Sequence, residues 1–153
     1  MGKFNLLVLS GLLLSFTIAS APMAALQPSK EPIDEFDIAS TYGLNKQLFI
    51  AILRVESGLD HTAVNPVTLD YGIAQINHKT ADAYSMDIQR LTHDRAYSIE
   101  MGAKVLADFK RFKPREPDTW FCRFNVGTGP MTGKTAYQCE IYVQRVTAMM
   151  GGQ

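Results

Sequence analysis

The run Leu48-Phe49-Ile50-Ala51-Ile52-Leu53-Arg54-Val55 is apolar on nearly every side of the helix it predicts, and it ends on Glu56-Ser57-Gly58. A helix without a polar face has to be covered all round, so the rest of the domain must be built around it. Asn45 suits its N-cap and Gly58 its C-terminal stop, which sets the helix at residues 46–57. Glu56 is thereby carried into the last turn of a buried helix. Charged side chains are rarely buried without a reason. The helix end presents roughly half a negative charge, and apolar surroundings penalise the ionised form. Both effects raise a carboxyl pKa. A carboxylic acid that keeps its proton near neutral pH is what protonation of a glycosidic oxygen requires. The competing reading is structural: a glutamate paired with Arg54, Lys46 or another surface base.

The other elements are shorter. Residues 33–42, with Ile33, Phe36 and Ile38, predict a helix that Gly43 stops. Asn65-Pro66 and Asp70-Tyr71-Gly72 are turn signals, and Val64, Val67 and Thr68 before the turn with Ile73 and Ile76 after it predict a small hairpin. Thr80 to Met86 predicts a short helix. A longer one starts at Thr92 and runs to Phe112, with Ala96, Ile99, Ala103, Leu106 and Phe109 or Lys110 on one face. Pro114 ends it. Asp118 is the expected cap of a helix containing Trp120, Phe121 and Phe124. Thr135 is the expected cap of a last helix whose buried face is Cys139, Val143, Val146 and Met150. The fold class expected is α+β and mainly α: about six helices and one small β-hairpin.

The first residues belong to no such core. Lys3 precedes Leu6 to Leu9, Leu12 to Leu14, Phe16 and Ile18, and the small residues Ala19-Ser20-Ala21 follow. This apolar stretch falls short of the roughly 20 residues that span a bilayer. It reads as a secretory signal peptide over residues 1–25, with Pro22 shifting the cut away from Ala21; an uncleaved anchor is the alternative. Residues 26–32 read as a linker, and residues 33–150 as the folded domain. Export implies an oxidising compartment, where Cys122 and Cys139 would pair; two buried thiols are the other reading. Lys and Arg number 15 and Asp and Glu number 15, so the chain has no electrostatic footprint for nucleic acid or an anionic membrane. His61, His78 and His93 are scattered without ligand spacing, so no metal is expected. No cofactor is expected either, and no Gly-x-Ser-x-Gly elbow is present.

Four short motifs occur in order: Glu56-Ser57, Gly72-Ile73-Ala74-Gln75-Ile76-Asn77, Phe124-Asn125-Val126-Gly127 and Tyr142-Val143-x-x-Val146. Together they resemble the soluble, goose-lysozyme-like lytic transglycosylases, over about Phe36 to Val146. The similarity is greatest to the small exported branch attached to secretion, conjugation or pilus systems, or to the machinery by which phages enter cells. The resemblance implies a lysozyme-like fold and a monomeric periplasmic or virion-borne enzyme. Its substrate would be peptidoglycan glycan strands, cleaved at the MurNAc–GlcNAc β-1,4 bond to leave 1,6-anhydro ends. It implies that Glu56 is the catalytic acid and base, and that Ser57, Gln75, Asn125 and Tyr142 contact the sugar or the acid. Where the family usually has Leu-Met this chain has Ile73-Ala74, which is expected to remove a long side chain from the site. Phe124 replaces the usual Tyr and lacks its hydroxyl.

Two other readings compete. A hydrolytic muramidase would use Asp70 as a second carboxylate. A non-catalytic domain would bind peptidoglycan and organise an envelope-spanning machine. The basic run Lys110, Arg111, Lys113 and Arg115 reads as a solvated helix end, favourable at a C-terminus.

Overall fold

The computed structural model describes residues 34–112 and 119–151, all within the compact unit Pro32–Gln153. The leader, the linker, the loop after Lys113 and the cap at Asp118 lie outside the described residues. Among the described residues the order is α1 (Ile38–Thr41), α2 (Lys46–Ser57), β1 (Val64–Asn65), β2 (Asp70–Tyr71), β3 (Ile76–Asn77), α3 (His78–Ala83), α4 (Ile88–His93), α5 (Arg95–Phe112), α6 (Cys122–Val126) and α7 (Gly133–Gly151). The class is the mainly helical α+β one expected, with a lysozyme-like arrangement of helices beside a small antiparallel sheet.

Helix α2 supplies the middle of the core but is not covered all round: Gln47 is exposed, and Lys46, Ile50 and Arg54 are half-buried. Asn45 Oδ1 accepts from the Leu48 N–H at 2.9 Å and starts it. Gly58, in the left-handed conformation at φ 68°, ends it by donating its N–H to the Arg54 carbonyl. Phe49, Ala51, Ile52 and Leu53 are buried and join Ile73 and Ile76, Ile99, Ala103 and Leu106 of α5, and Val146 of α7 in one core. Each fully buried side chain of the Leu, Ile or Phe size contributes about 1.5–3 kcal/mol.

The sheet is a meander of three two-residue strands, not one hairpin. Its order is β1-β2-β3, with Val64 opposite Tyr71, Asn65 opposite Asp70, Asp70 opposite Asn77 and Tyr71 opposite Ile76. Val67 and Thr68, expected in a strand, lie in the first turn because Asn65 Oδ1 accepts from both their N–H groups and Pro66 bends the chain there. Asp70 and Tyr71, expected in a turn, form the middle strand, and Gly72 ends it at φ 75°. A Cβ at Gly72 would lie 2.4 Å from both the Leu91 carbonyl oxygen and Ser98 Oγ, so only glycine lets the strand end this close to α4 and α5.

Helix boundaries differ where local caps decide them. The expected helix at residues 33–42 shrinks to α1, preceded by turns. Thr92 closes α4 and does not open α5. Asp94 Oδ1 accepts from the Tyr97 N–H at 3.0 Å and starts the long helix at Arg95. Ala96, expected on the buried face, is exposed, and Ser98 and Gly102 take places there. Helix α7 is capped at Thr132, not Thr135: the two threonines bond reciprocally, each N–H to the other's hydroxyl. Its buried row is Cys139, Tyr142 and Val146, while Met150 is exposed.

Cys122 and Cys139 form the disulfide, joining α6 to α7. The closed loop has a sequence separation of 17, for which the chain-entropy treatment gives about 3 kcal/mol. Reduction is therefore expected to lower the melting temperature clearly in differential scanning calorimetry. Equal transitions with and without reductant would contradict this contribution.

Candidate active site

Glu56 forms one wall of a cleft of about 430 Å³. Thr68, Asp70, Gln75, Ile76 and Asn77 line it from the sheet, Thr80 from α3, Val105 and Phe109 from α5, and Phe124, Asn125, Val126 and Gly127 from α6. Three of the motif residues expected to work together, Glu56, Gln75 and Asn125, thus share one cavity. Tyr142 lies behind it and reaches the acid directly: its hydroxyl donates to Glu56 Oε1 at 2.5 Å.

The environment of Glu56 raises its pKa to about 7, chiefly because burial removes water from the carboxylate. The Tyr142 hydrogen bond and the Arg145 charge act the other way, and the Asp70 charge adds slightly to the rise. Burial, then the negative charge of Glu56, drives Tyr142 strongly upward, so the phenol remains a donor throughout the physiological range. Glu56 is thus an acid near neutrality whose ionised form keeps a fixed hydrogen-bond donor. Lys46, a candidate partner, is bound instead to Asp34 at 2.7 Å and Asp37 at 2.6 Å, and the cation that acts on Glu56 is Arg145.

The segment after β2 is sewn to two helices through the main chain of Ile73. Its N–H donates to Ser98 Oγ at 3.0 Å, and its carbonyl accepts from Ser57 Oγ at 2.8 Å. Ser57 is therefore a tether between α2 and this loop and is not among the residues lining the cleft. Gln75, at φ 48°, donates its amide to the carbonyls of Ala63 at 3.2 Å and Gly72 at 3.0 Å. Its position depends on the sheet turns, not on a neighbouring side chain. Ala74 corrects an expectation: it is buried, and its Cβ faces Gly102 of α5, where an added Cβ would lie 2.8 Å away. Its short side chain changes the packing of the loop on α5, not the lining of the cleft. Phe124 does line the cleft and meets Phe109 edge-on, with ring centroids 6.0 Å apart.

Asp70 stands in the same cleft, and both its oxygens are engaged. Asn77 Nδ2 donates to Oδ1 at 2.8 Å and Thr68 Oγ1 to Oδ2 at 2.5 Å. These contacts follow from the register, which sets Asp70 opposite Asn77. Ser98, Thr68 and Arg145 belong to none of the motifs, and Asn77 stands in one without an assigned role. A lone serine inside the buried stripe of α5 is the signal that could have flagged Ser98, since a buried hydroxyl needs a partner. Among the described residues no cluster of metal-ligating side chains occurs.

A helical domain with one desolvated glutamate over a polar cleft, beside a three-stranded meander, defines the lysozyme-like class of glycan-cleaving folds. The family model described as Transglycosylase SLT domain matches residues 35–138, and the chain belongs to this lytic transglycosylase family, whose function is directed at peptidoglycan. No curated protein and no solved structure matches the chain. The matched segment stops before Tyr142, so the pairing of that residue with Glu56 is a finding of the geometry.

The raised pKa has a consequence for stability. Because the folded value, about 7, lies above the ordinary 4.5, the carboxyl's contribution is fully present below pH 4.5 and is lost as the pH rises through 7. The loss amounts to about 3 kcal/mol. Glu56→Gln, whose amide does not titrate, is expected to gain stability over the wild type by about that amount between pH 4 and pH 8. Denaturant unfolding at the two pH values checks this, and a pH-independent difference would show that the carboxyl is unperturbed.

Proposed function

We propose that the protein is a lytic transglycosylase that cleaves the MurNAc–GlcNAc β-1,4 bond and leaves 1,6-anhydroMurNAc ends. The observation that carries this reading is the desolvated Glu56 carboxyl, held by Tyr142, at the wall of the cleft. With a pKa of about 7 it is substantially protonated at neutral pH and can deliver its proton to the glycosidic oxygen as the C1–O bond breaks. The carboxylate left behind keeps the Tyr142 hydrogen bond. It then takes the proton of the sugar's own C6 hydroxyl as O6 forms its bond to C1. The proton count closes: Glu56 ends the cycle protonated, and no water is consumed.

Gln75 and Asn125 supply uncharged amides along the cleft for sugar hydroxyl and acetamido groups. Phe109 and Phe124 offer an apolar wall for a pyranose face. Ser57 acts through the loop it tethers. Asp70 has both oxygens occupied by Asn77 and Thr68, which favours a fixed, sugar-orienting carboxylate over a nucleophile.

The apolar leader and the Cys122–Cys139 bond support export to an oxidising compartment, the periplasm of a cell or a phage particle. There a monomeric enzyme would open the wall locally for a secretion, conjugation or pilus machine, or for phage penetration.

Mass spectrometry of peptidoglycan treated with the purified protein tests the reaction. Fragments lighter by one water than hydrolysed ones are expected, with turnover falling as the pH rises through about 7. Glu56→Gln is expected to lose turnover by roughly 10²–10⁴-fold or more. Reducing ends would replace this reading with hydrolysis assisted by Asp70. Unaltered turnover in the variant would remove Glu56 from the reaction.

A further inference from the structure

We propose that Arg145 is a positioning residue for the acid: from α7 it caps the carboxyl end of α2 and supplies the positive charge against which Glu56 ionises. This rests on the proposed role of Glu56. A helix ends with carbonyls that lack intrahelical partners and form the negative pole of its dipole. In α2 the Arg54 carbonyl receives the Gly58 N–H at 3.0 Å, and the Leu53 carbonyl receives the Leu59 N–H at 3.5 Å. The Val55 carbonyl, adjoining Glu56, receives Nη2 of Arg145 at 3.4 Å.

Helix geometry explains why one element supplies both partners. Tyr142 and Arg145 are three residues apart, so they share a face of α7. The phenol meets the Glu56 carboxyl, and the guanidinium meets the backbone just before it. Tyr142 is buried and belongs to the core, whereas Arg145 is exposed, so its removal leaves the packing intact. The groups acting electrostatically on Glu56 are Tyr142 and Arg145 from α7 and Asp70 from β2. Asp70 opposes ionisation, and Arg145 favours it. Among the described lining residues, the polar side chains from α6 and the loop before β3 are the uncharged amides of Asn125 and Gln75.

An acid that serves in two steps has to give up its proton and later recover one. Burial alone would hold the proton too firmly for the first step. Arg145 lowers the energy of the intervening carboxylate without touching the sugar, and so keeps the acid near the pH at which it works.

The test uses the full chain with Arg145→Gln and Arg145→Lys. The Glu56 carboxyl carbon is titrated by NMR after isotopic labelling of glutamate, and the pH profile of turnover on peptidoglycan is measured beside it. Arg145→Gln is expected to move the Glu56 midpoint upward by roughly 0.5–1 pH unit. The alkaline limb of turnover should move by the same amount. The plateau rate should fall several-fold at nearly unchanged KM and melting temperature. Arg145→Lys is expected to restore most of the midpoint. An unmoved midpoint in Arg145→Gln overturns the inference, whether or not turnover falls, because a merely structural loss leaves the titration in place. The titration needs no turnover. A shifted midpoint in a chain whose wild type yields no glycan fragments supports the hold of Arg145 on Glu56 and removes the proposed function instead.

Discussion

The contact between the Tyr142 hydroxyl and the Glu56 carboxyl is the interaction on which the rest of the domain depends. It joins the last turn of the central helix to the last helix of the chain, 86 residues away in sequence. Two opposing physical demands meet there. Burial against an apolar core raises the proton affinity of the acid, and the apolar face of α2 carried by Phe49, Ile52 and Leu53 anchors the helix in that core. The ionised form nevertheless has to be reachable, and the phenolic donor, aided by the Arg145 charge, makes it so without readmitting water. The phenol is itself desolvated and lies against a negative charge, so it does not compete for the role of base.

Keeping this pair in register with a cleft requires that three separate segments be fixed to one another. Ser57, the residue after the acid, binds the Ile73 carbonyl, and Ser98 of α5 binds the N–H of the same residue. One residue thus locks the acid's helix, the Gln75 loop and α5 together. Gly72 and the Ala74–Gly102 contact are the steric side of this lock: both need missing or minimal side chains where the loop backbone approaches α4 and α5. On the far side, the Cys122–Cys139 bond ties α6, which carries Phe124 and Asn125, to α7, which carries Tyr142. The apolar wall of the cleft and the acid's hydrogen-bond donor therefore share a covalent frame.

Much of this was legible in the chain, and the reasons differ by residue. The central helix could be read because an all-apolar run admits few alternatives, and its ends because Asn45 and Gly58 have conformational preferences strong enough to act alone. Glu56 followed from the same run. The break at Asp94 was harder: the apolar period continues through it, and only the capping bond to Tyr97 separates α4 from α5. The strands were too short for alternation to register, so Asp70 looked like part of a turn until pairing with Asn77 set it on the cleft side. Ala74 could be placed in the right segment but not on the right face, and the bond of Ser57 to the Ile73 carbonyl could not be read at all. Their environments are set by Ile73 and Gly102, contacts between elements that no local pattern encodes.

The energetics of the site and of the fold are coupled by this arrangement. A domain of this size has a net stability of roughly 5–15 kcal/mol. Holding Glu56 at a pKa of about 7 removes about 3 kcal/mol of that once the pH exceeds it. The disulfide returns a similar amount, about 3 kcal/mol, through the unfolded chain, and it does so in the helices that grip the acid. Had the bond closed a loop elsewhere, it would offset the same cost but would leave α7 free to move away from α2. Local opening of that helix would let water reach the carboxyl, and its pKa would fall back toward the ordinary value. Placing the cross-link three residues before Tyr142 therefore protects both the stability of the fold and the proton affinity of Glu56.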